Sequence, residues 1–238
     1  MTSPPEPTEP PRRRVRLPFI AIGLVTVVIG VGIVVWSVVL PHRRPGLEPG
    51  ERYGVDVSNH QKAIAWDRVA ADDIAFAYVK ATEGGDFVDQ HFQDNWDGAA
   101  RAGLDRGAYH FFTLCRPGAD QAENFLRVVP RDDGALPAAV DLEFGGNCAG
   151  RPDRAALLRE LTAFIEPVED ALGREVVLYV MDDFEEAYRI RSAVRRPLWA
   201  RALTRPDDDW SIWQFTGTGA VEGIDGDVDL NVARNLES

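Results

Sequence analysis

The sequence predicts an α/β fold: a closed barrel of eight strands that has lost its last helices, preceded by one transmembrane helix. Three observations predict it. From residue 53 onward, short apolar runs alternate with amphipathic stretches, the pattern of βαβ units around a parallel sheet. Eight such runs fall within about 185 residues, and helical stretches separate only the first six. Before them, residues 19–40 contain no charge, and as a helix they would be about 33 Å long, enough for a bilayer core.

In chain order, residues 1–18 are Pro-rich and polar, end in Arg12, Arg13, Arg14 and Arg16, and lack apolar periodicity. They are expected to be a disordered cytoplasmic tail. The apolar run at 19–40 exceeds the usual signal-peptide core of roughly 7–15 residues, and no Ala-x-Ala site follows it. Four Arg precede it and two, Arg43 and Arg44, follow, which places the N-terminus in the cytoplasm. The expectation is a single-pass signal anchor in the cell membrane with the rest extracytoplasmic; secretion after signal cleavage is the alternative. Residues 41–50 read as a Pro/Gly linker and 51–238 as one folded domain.

Within the domain, strands are expected at 53–57, 74–80, 107–112, 138–143, 176–180, 197–200, 211–215 and 226–230. Helices are expected at 66–71, 90–102, 119–129, 154–172 and 182–191. The clearest is 154–172, where Leu157, Leu158, Leu161, Phe164 and Ile165 share one face.

Charge narrows the partners. The chain carries −12 overall, but beyond residue 50 there are 20 basic and 35 acidic side chains, a net −15. So acidic a domain excludes nucleic acid as a partner. The two cysteines, Cys115 and Cys148, lack zinc-ligand spacing. They follow the ends of strands three and four, neighbours at the top of a barrel, so outside the cytoplasm they are expected to form a disulfide.

Barrel chemistry sits at strand C-terminal ends, and here those ends are rich in functional groups. They offer Asp56, Glu83, Tyr109 with His110, Asp141 with Glu143, Trp213 with Gln214, and Asp229. Each alone has a plain reading: Asp56 as a helix cap, His110 as a satisfied core histidine, Trp213 as packing. Together they describe an acidic, aromatic-walled cleft suited to a sugar. Asp141 and Glu143, two apart on one strand, share a face with Cα atoms roughly 7 Å apart. Repulsion and burial keep a proton on one of them near neutral pH, the acid and anion pairing that glycosidic cleavage needs.

The stretches Gly54-Val-Asp-Val-Ser-Asn-His-Gln61, Phe76-Ala-Tyr-Val-Lys-Ala-Thr-Glu-Gly84 with Asp89, and Arg106-Gly-Ala-Tyr-His-Phe111 carry a resemblance. So do Gln121-Ala122 to Phe125, residues 136–143, Ile212-Trp-Gln-Phe215 and Gly226-Asp-Val-Asp-Leu-Asn231. In this order over 53–235 they resemble the glycoside hydrolase family 25 lysozymes, which are N-acetylmuramidases. The resemblance implies a modified TIM-like (β/α)5(β)3 barrel, with 51–238 as the catalytic domain. It implies Glu143 as proton donor, Asp141 as its partner, Asp56 and Asp229 as further cleft acids, and no metal or cofactor. Glu83, Tyr109, His110, Trp213 and Gln214 are the expected sugar contacts. The implied substrate is peptidoglycan glycan, cut by a monomer at the β-1,4 bond between N-acetylmuramic acid and N-acetylglucosamine.

Two stretches depart from the family pattern. Met181-Asp182-Asp183 stands where relatives are often rich in Ser or Thr, and Trp199-Ala-Arg-Ala-Leu203 where they commonly show Trp-x-Ala-x-Tyr or Trp. After protonation by Glu143, either Asp56 meets the oxocarbenium-like charge directly or the substrate's 2-acetamido group attacks while Asp141 orients it; the adjacent acids favour the second. The rival readings are a membrane-tethered, non-catalytic peptidoglycan-binding module and a glycosidase of this fold acting on another amino-sugar polymer.

Overall fold

A computed structural model describes residues 29–32, 35, 40–207 and 209–236. The expected tail at 1–18 lies outside them, and so does the expected anchor at 19–40 apart from its few described residues. Among the described residues no helix is long and apolar enough to cross a membrane. The chain divides into two compact units, 1–43 and 44–238. The first contains a 3-10 turn at Leu40–His42; the second contains the barrel.

The elements of that unit are β1 (Arg52–Val57), α1 (Trp66–Ala71), β2 (Ile74–Glu83), β3 (Phe87–Val88), α2 (Phe92–Arg101) and β4 (Asp105–Phe111). There follow α3 (Gly118–Val128), β5 (Ala139–Leu142), α4 (Arg154–Leu172), β6 (Val177–Val180), α5 (Asp182–Tyr188) and α6 (Ile190–Ala193). The last three are β7 (Leu198–Arg201), β8 (Ile212–Gly219) and β9 (Val228–Ala233). Pairing runs β1-β9-β8-β7-β6-β5-β4-β2, and β1 also pairs with β2, so eight strands close a barrel. The short β3 hangs on the edge of β2. Helices follow β1, β2 with its β3 extension, β4, β5 and β6; among the described residues none follows β7, β8 or β9. All barrel pairs are parallel except those of β9, which is antiparallel to both β8 and β1.

The sheet is therefore not wholly parallel. Only eight residues separate β8 from β9, too few for a crossover, so the chain turns back as a hairpin. Asp229 then stands near the start of its strand rather than at its end, and the reversal brings that start to the mouth of the barrel. Two further differences are local. The expected helix at 182–191 breaks at Arg189, whose φ of +50° both ends α5 and opens α6. The 41–50 linker is not a free spacer from Arg44 onward. Arg44 donates to the Asp72 carbonyl at 2.6 Å and carboxylate at 2.7 Å, the Tyr53 hydroxyl donates to the Pro45 carbonyl, and Arg205 donates to the Gly46 carbonyl at 2.9 Å.

Strand alternation sorts the core into two layers. Phe76, Tyr78, Ala139, Val177, Trp199, Ile212 and Ala233 fill the barrel interior. The rings need empty space opposite them: a Cβ at Gly54 would collide with the Phe76 ring, and one at Gly107 with the Tyr78 ring. Outward-facing Val55, Val79, Ala108, Val140 and Leu178 pack against the helices. The main cover is α4, capped by Asp153 accepting from the Ala156 N–H at 2.8 Å and ended by Gly173 at φ +73°. Its Leu157, Leu161, Phe164 and Ile165 are buried as the periodicity predicts, while Leu158 is only half-buried. Each fully buried side chain of this size stabilises by roughly 1.5–3 kcal/mol.

Candidate active site

Above the aromatic floor the barrel opens into a cleft of about 600 Å³. Asp56, Asp141, Glu143 and Asp229 all line it, so the four expected acids converge. Asp56 and Asp229 are direct cross-strand neighbours on β1 and β9, with Cα atoms roughly 5 Å apart by strand geometry. Asp141 pairs across to Phe111 on one side and Tyr179 on the other. Glu143 follows β5 directly, with its Oε1 3.6 Å from where a Cβ on Gly145 would lie.

The acids differ in what holds them. Asp56 Oδ2 accepts from Asn231 Nδ2 at 2.7 Å and from Gln214 Nε2 at 3.4 Å. Both donors are themselves fixed: Trp199 Nε1 donates to Asn231 Oδ1 and the Tyr179 hydroxyl to Gln214 Oε1, each at 2.9 Å. Asp141 Oδ1, in contrast, is buried with no protein hydrogen-bond partner.

Burial raises the pKa of all four acids. For Asp56 the charge of Asp229 adds to it, against the donors Asn231 and Gln214. For Asp141 burial is followed by repulsion from Glu143 and Asp56. Glu143 is raised by burial, opposed chiefly by the cation Arg201. Asp229 is pushed up to about 6, again by burial against Arg201. Four carboxyls in one low-dielectric cleft cannot all ionise, so the cluster retains protons near neutrality and can both donate a proton and face a cation.

Of the expected sugar contacts, Glu83, Tyr109 and Gln214 line the cleft. Glu83 reaches it through a bulge. The β2–β4 register shifts between Lys80 and Thr82, so Lys80 and Glu83, three apart, both face inward and ion-pair at 2.7 Å.

His110 and Trp213 do not face the cleft. On β4, Tyr109 and Phe111 point in, so His110 between them points out. It is fully buried beneath the helices, stacked on Phe164 with centroids 4.6 Å apart. Its Nε2 donates to Gln121 Oε1 at 3.0 Å and its Nδ1 accepts from the Thr82 hydroxyl at 2.7 Å. Burial lowers its pKa to about 3, so it stays neutral. Trp213 likewise alternates with inward Ile212 and Gln214; it donates to the Ala202 carbonyl at 2.8 Å and packs on Trp210 and Phe215. The aromatic wall is instead Tyr109, Phe111, Tyr179 and Trp199. Phe111, Tyr179, Trp199, Lys80 and Arg201 were missed by the motif reading. Strict alternation from Tyr109 and Gln214 would have found Phe111 and rejected the two outward residues.

Cys115 and Cys148 form a disulfide, Cα atoms 6.1 Å apart, joining the loops after β4 and β5 as expected.

Comparison with known proteins agrees with this geometry. The family model described as glycosyl hydrolases family 25 matches residues 55–224. A family 25 glycosyl hydrolase structure from Bacillus anthracis superposes with a TM-score of 0.73 at 36% identity, covering 81% of this chain and 93% of that one. The bacterial lysozyme structure from Streptomyces coelicolor gives 0.68 at 29% identity, covering 77% and 92%. Lysozyme M1 of Streptomyces globisporus is 33% identical over 75% of this chain and 66% of its own length. With the family pattern spanning most of the barrel and the four acids gathered at its mouth, the chain belongs to glycosyl hydrolase family 25 and is a glycoside hydrolase.

Proposed function

We propose that this enzyme is a lysozyme that hydrolyses the β-1,4 bond between N-acetylmuramic acid and N-acetylglucosamine in peptidoglycan. Its relatives named lysozyme support the substrate class. Glu143, whose carboxyl burial raises above the usual range, donates its proton to the leaving oxygen. The oxygen of the substrate's own 2-acetamido group attacks the anomeric carbon as the glycosidic C–O bond breaks, while Asp141 orients the group; water, giving a proton back to Glu143, then opens the resulting oxazoline-like ring. One observation carries this choice over a direct Asp56 nucleophile: Asp56 Oδ2 is already held by Asn231 and Gln214, whereas Asp141 lines the cleft two residues from the donor on the same strand face. Asp229, whose carboxyl stands at about 6, supplies negative potential toward the developing oxocarbenium-like charge, with Asp56 beside it completing the acidic lining. Tyr109, Phe111, Tyr179 and Trp199 give the cleft an aromatic lining suited to sugar rings.

Reducing-end analysis of digested cell wall tests the reading. New N-acetylmuramic acid ends support it; N-acetylglucosamine ends, or binding without new ends, overturn it. A covalent sugar adduct on Asp56, seen by mass spectrometry, would replace the assisted route with a direct one.

We also propose that 19–40 anchors the enzyme in the cell membrane with 41–238 outside. The long uncharged run flanked by Arg and the disulfide, which suits an oxidising compartment, support it. Protease added to spheroplasts should then release the domain, and a mature N-terminus near residue 42 would refute the anchor.

A further inference from the structure

β4 and β5 run parallel, and their ladder continues past the strand ends with the Phe112 N–H donating to the Asp141 carbonyl at 3.0 Å. One step further, among the described residues, no backbone N–H donates to the carbonyls of Phe112 and Glu143. The side chain of Asn147 supplies the donor. Its Nδ2 donates to the Phe112 carbonyl at 2.8 Å and to the Glu143 carbonyl at 3.0 Å. Its Oδ1 accepts from the Leu114 N–H at 2.9 Å and the Cys148 N–H at 2.8 Å. All four valences of one amide are thus spent on the backbone of the two loops, and the next residue carries the disulfide to Cys115. The turn that delivers Asn147 is closed by its own N–H donating to the Phe144 carbonyl at 3.2 Å and passes through Gly146 at φ +72°. On the far side of Glu143, Phe144 packs on Phe184 and Tyr188 with centroids 4.9 and 5.9 Å apart.

We propose that Asn147 is a positioning residue for hydrolysis: its amide acts as an extra rung of the barrel ladder and fixes the backbone from which Glu143 presents its carboxyl. This deepens the proposed function and rests on Glu143 being the proton donor. The amide touches no substrate in this role. It sets where the donor stands, and misplacement of such a group by about 1 Å costs up to 10²-fold in rate. Because Asp cannot donate to two carbonyls and its charge would face them, the shape of Asn without its N–H groups does not suffice.

The test measures kcat and KM on purified glycan strands for Asn147→Ala, Asn147→Asp and a control, Val168→Ala, which removes methyl groups from the fully buried face of α4 away from the cleft. Thermal unfolding and thiol labelling establish the fold and the intact disulfide of each. Both Asn147 variants should lose at least about 10-fold in kcat with KM within about twofold, and the control should keep its kcat at a comparable loss of stability. A full kcat in Asn147→Asp, or a loss in Asn147→Ala no larger than the control's, overturns the proposal. Glu143→Gln, assayed alongside, separates the two readings: if it is active, the donor assignment has failed, and if it is inactive while Asn147→Ala is active, only the positioning role has failed.

Discussion

The acid cluster is built at a cost in stability that Asp229 makes measurable. Its carboxyl is displaced from 3.8 to about 6, by burial against the opposing charge of Arg201. An acid whose folded pKa is raised destabilises the fold wherever the unfolded chain would already have released the proton. The penalty is therefore absent below about pH 4, grows between about 4 and 6, and is constant above. At about 1.4 kcal/mol per pH unit, the full displacement amounts to about 3 kcal/mol. Asp229→Asn removes the ionisation and keeps the shape. It should stabilise the domain by about 3 kcal/mol at pH 7, or roughly 6–12 °C in Tm for a domain of this size, and leave stability unchanged at pH 3.5. Urea unfolding of both proteins from pH 3.5 to 8 measures the difference. A difference independent of pH, or a wild type more stable than the variant at pH 7, would refute the assignment of strain to this carboxylate.

Three further outcomes are expected. Glu143→Gln should lower kcat by at least about 10² with little change in stability, since the amide keeps the shape and cannot protonate the leaving oxygen; retained turnover on cell wall would refute its role. Arg201→Gln should move the alkaline limb of kcat/KM to higher pH: Arg201 lowers the pKa of Glu143, and activity is lost as the donor deprotonates, so removing the cation extends the active range upward. An unmoved limb would exclude that coupling. Replacing Cys115 and Cys148 by Ser should cost roughly 3–4 kcal/mol by the loop-entropy relation for a sequence separation of 33; unchanged denaturant midpoints would show that the loops are held without the bond.

What the sequence made legible follows from which rule each feature obeys. Asp141 and Glu143 obey the two-residue period of a strand, and the helix at 154–172 obeys the 3.6-residue period, so both stand where expected. His110 and Trp213 were assigned to the cleft because they sit in motifs at strand ends, although the same two-residue period, counted from Tyr109 and Gln214, turns each outward. Glu83 is the reverse case: simple alternation from Lys80 would turn it away, and only the bulge at Ala81 brings it in, a register shift that no local residue pattern announces. The reversal of β9 belongs to the same class, since its strand reads alike in either direction and only the short connection before it forces the hairpin.

The arrangement of donors divides labour among carboxylates that would otherwise be equivalent. All four acids lie over one apolar, aromatic floor, so burial alone would raise them together and give no reason for one to act as donor and another as anion. Asn231 and Gln214 break the symmetry at Asp56, and they do so rigidly because Trp199 and Tyr179 of the cleft wall hold them in place. Arg201 opposes the upward pull of burial at Glu143 and at Asp229, whose carboxyl stands at about 6. Asp141 receives no protein donor at Oδ1, an atom sealed from solvent, so burial and the charges of Glu143 and Asp56 raise its carboxyl well above the usual range, with the charge of Lys80 in opposition.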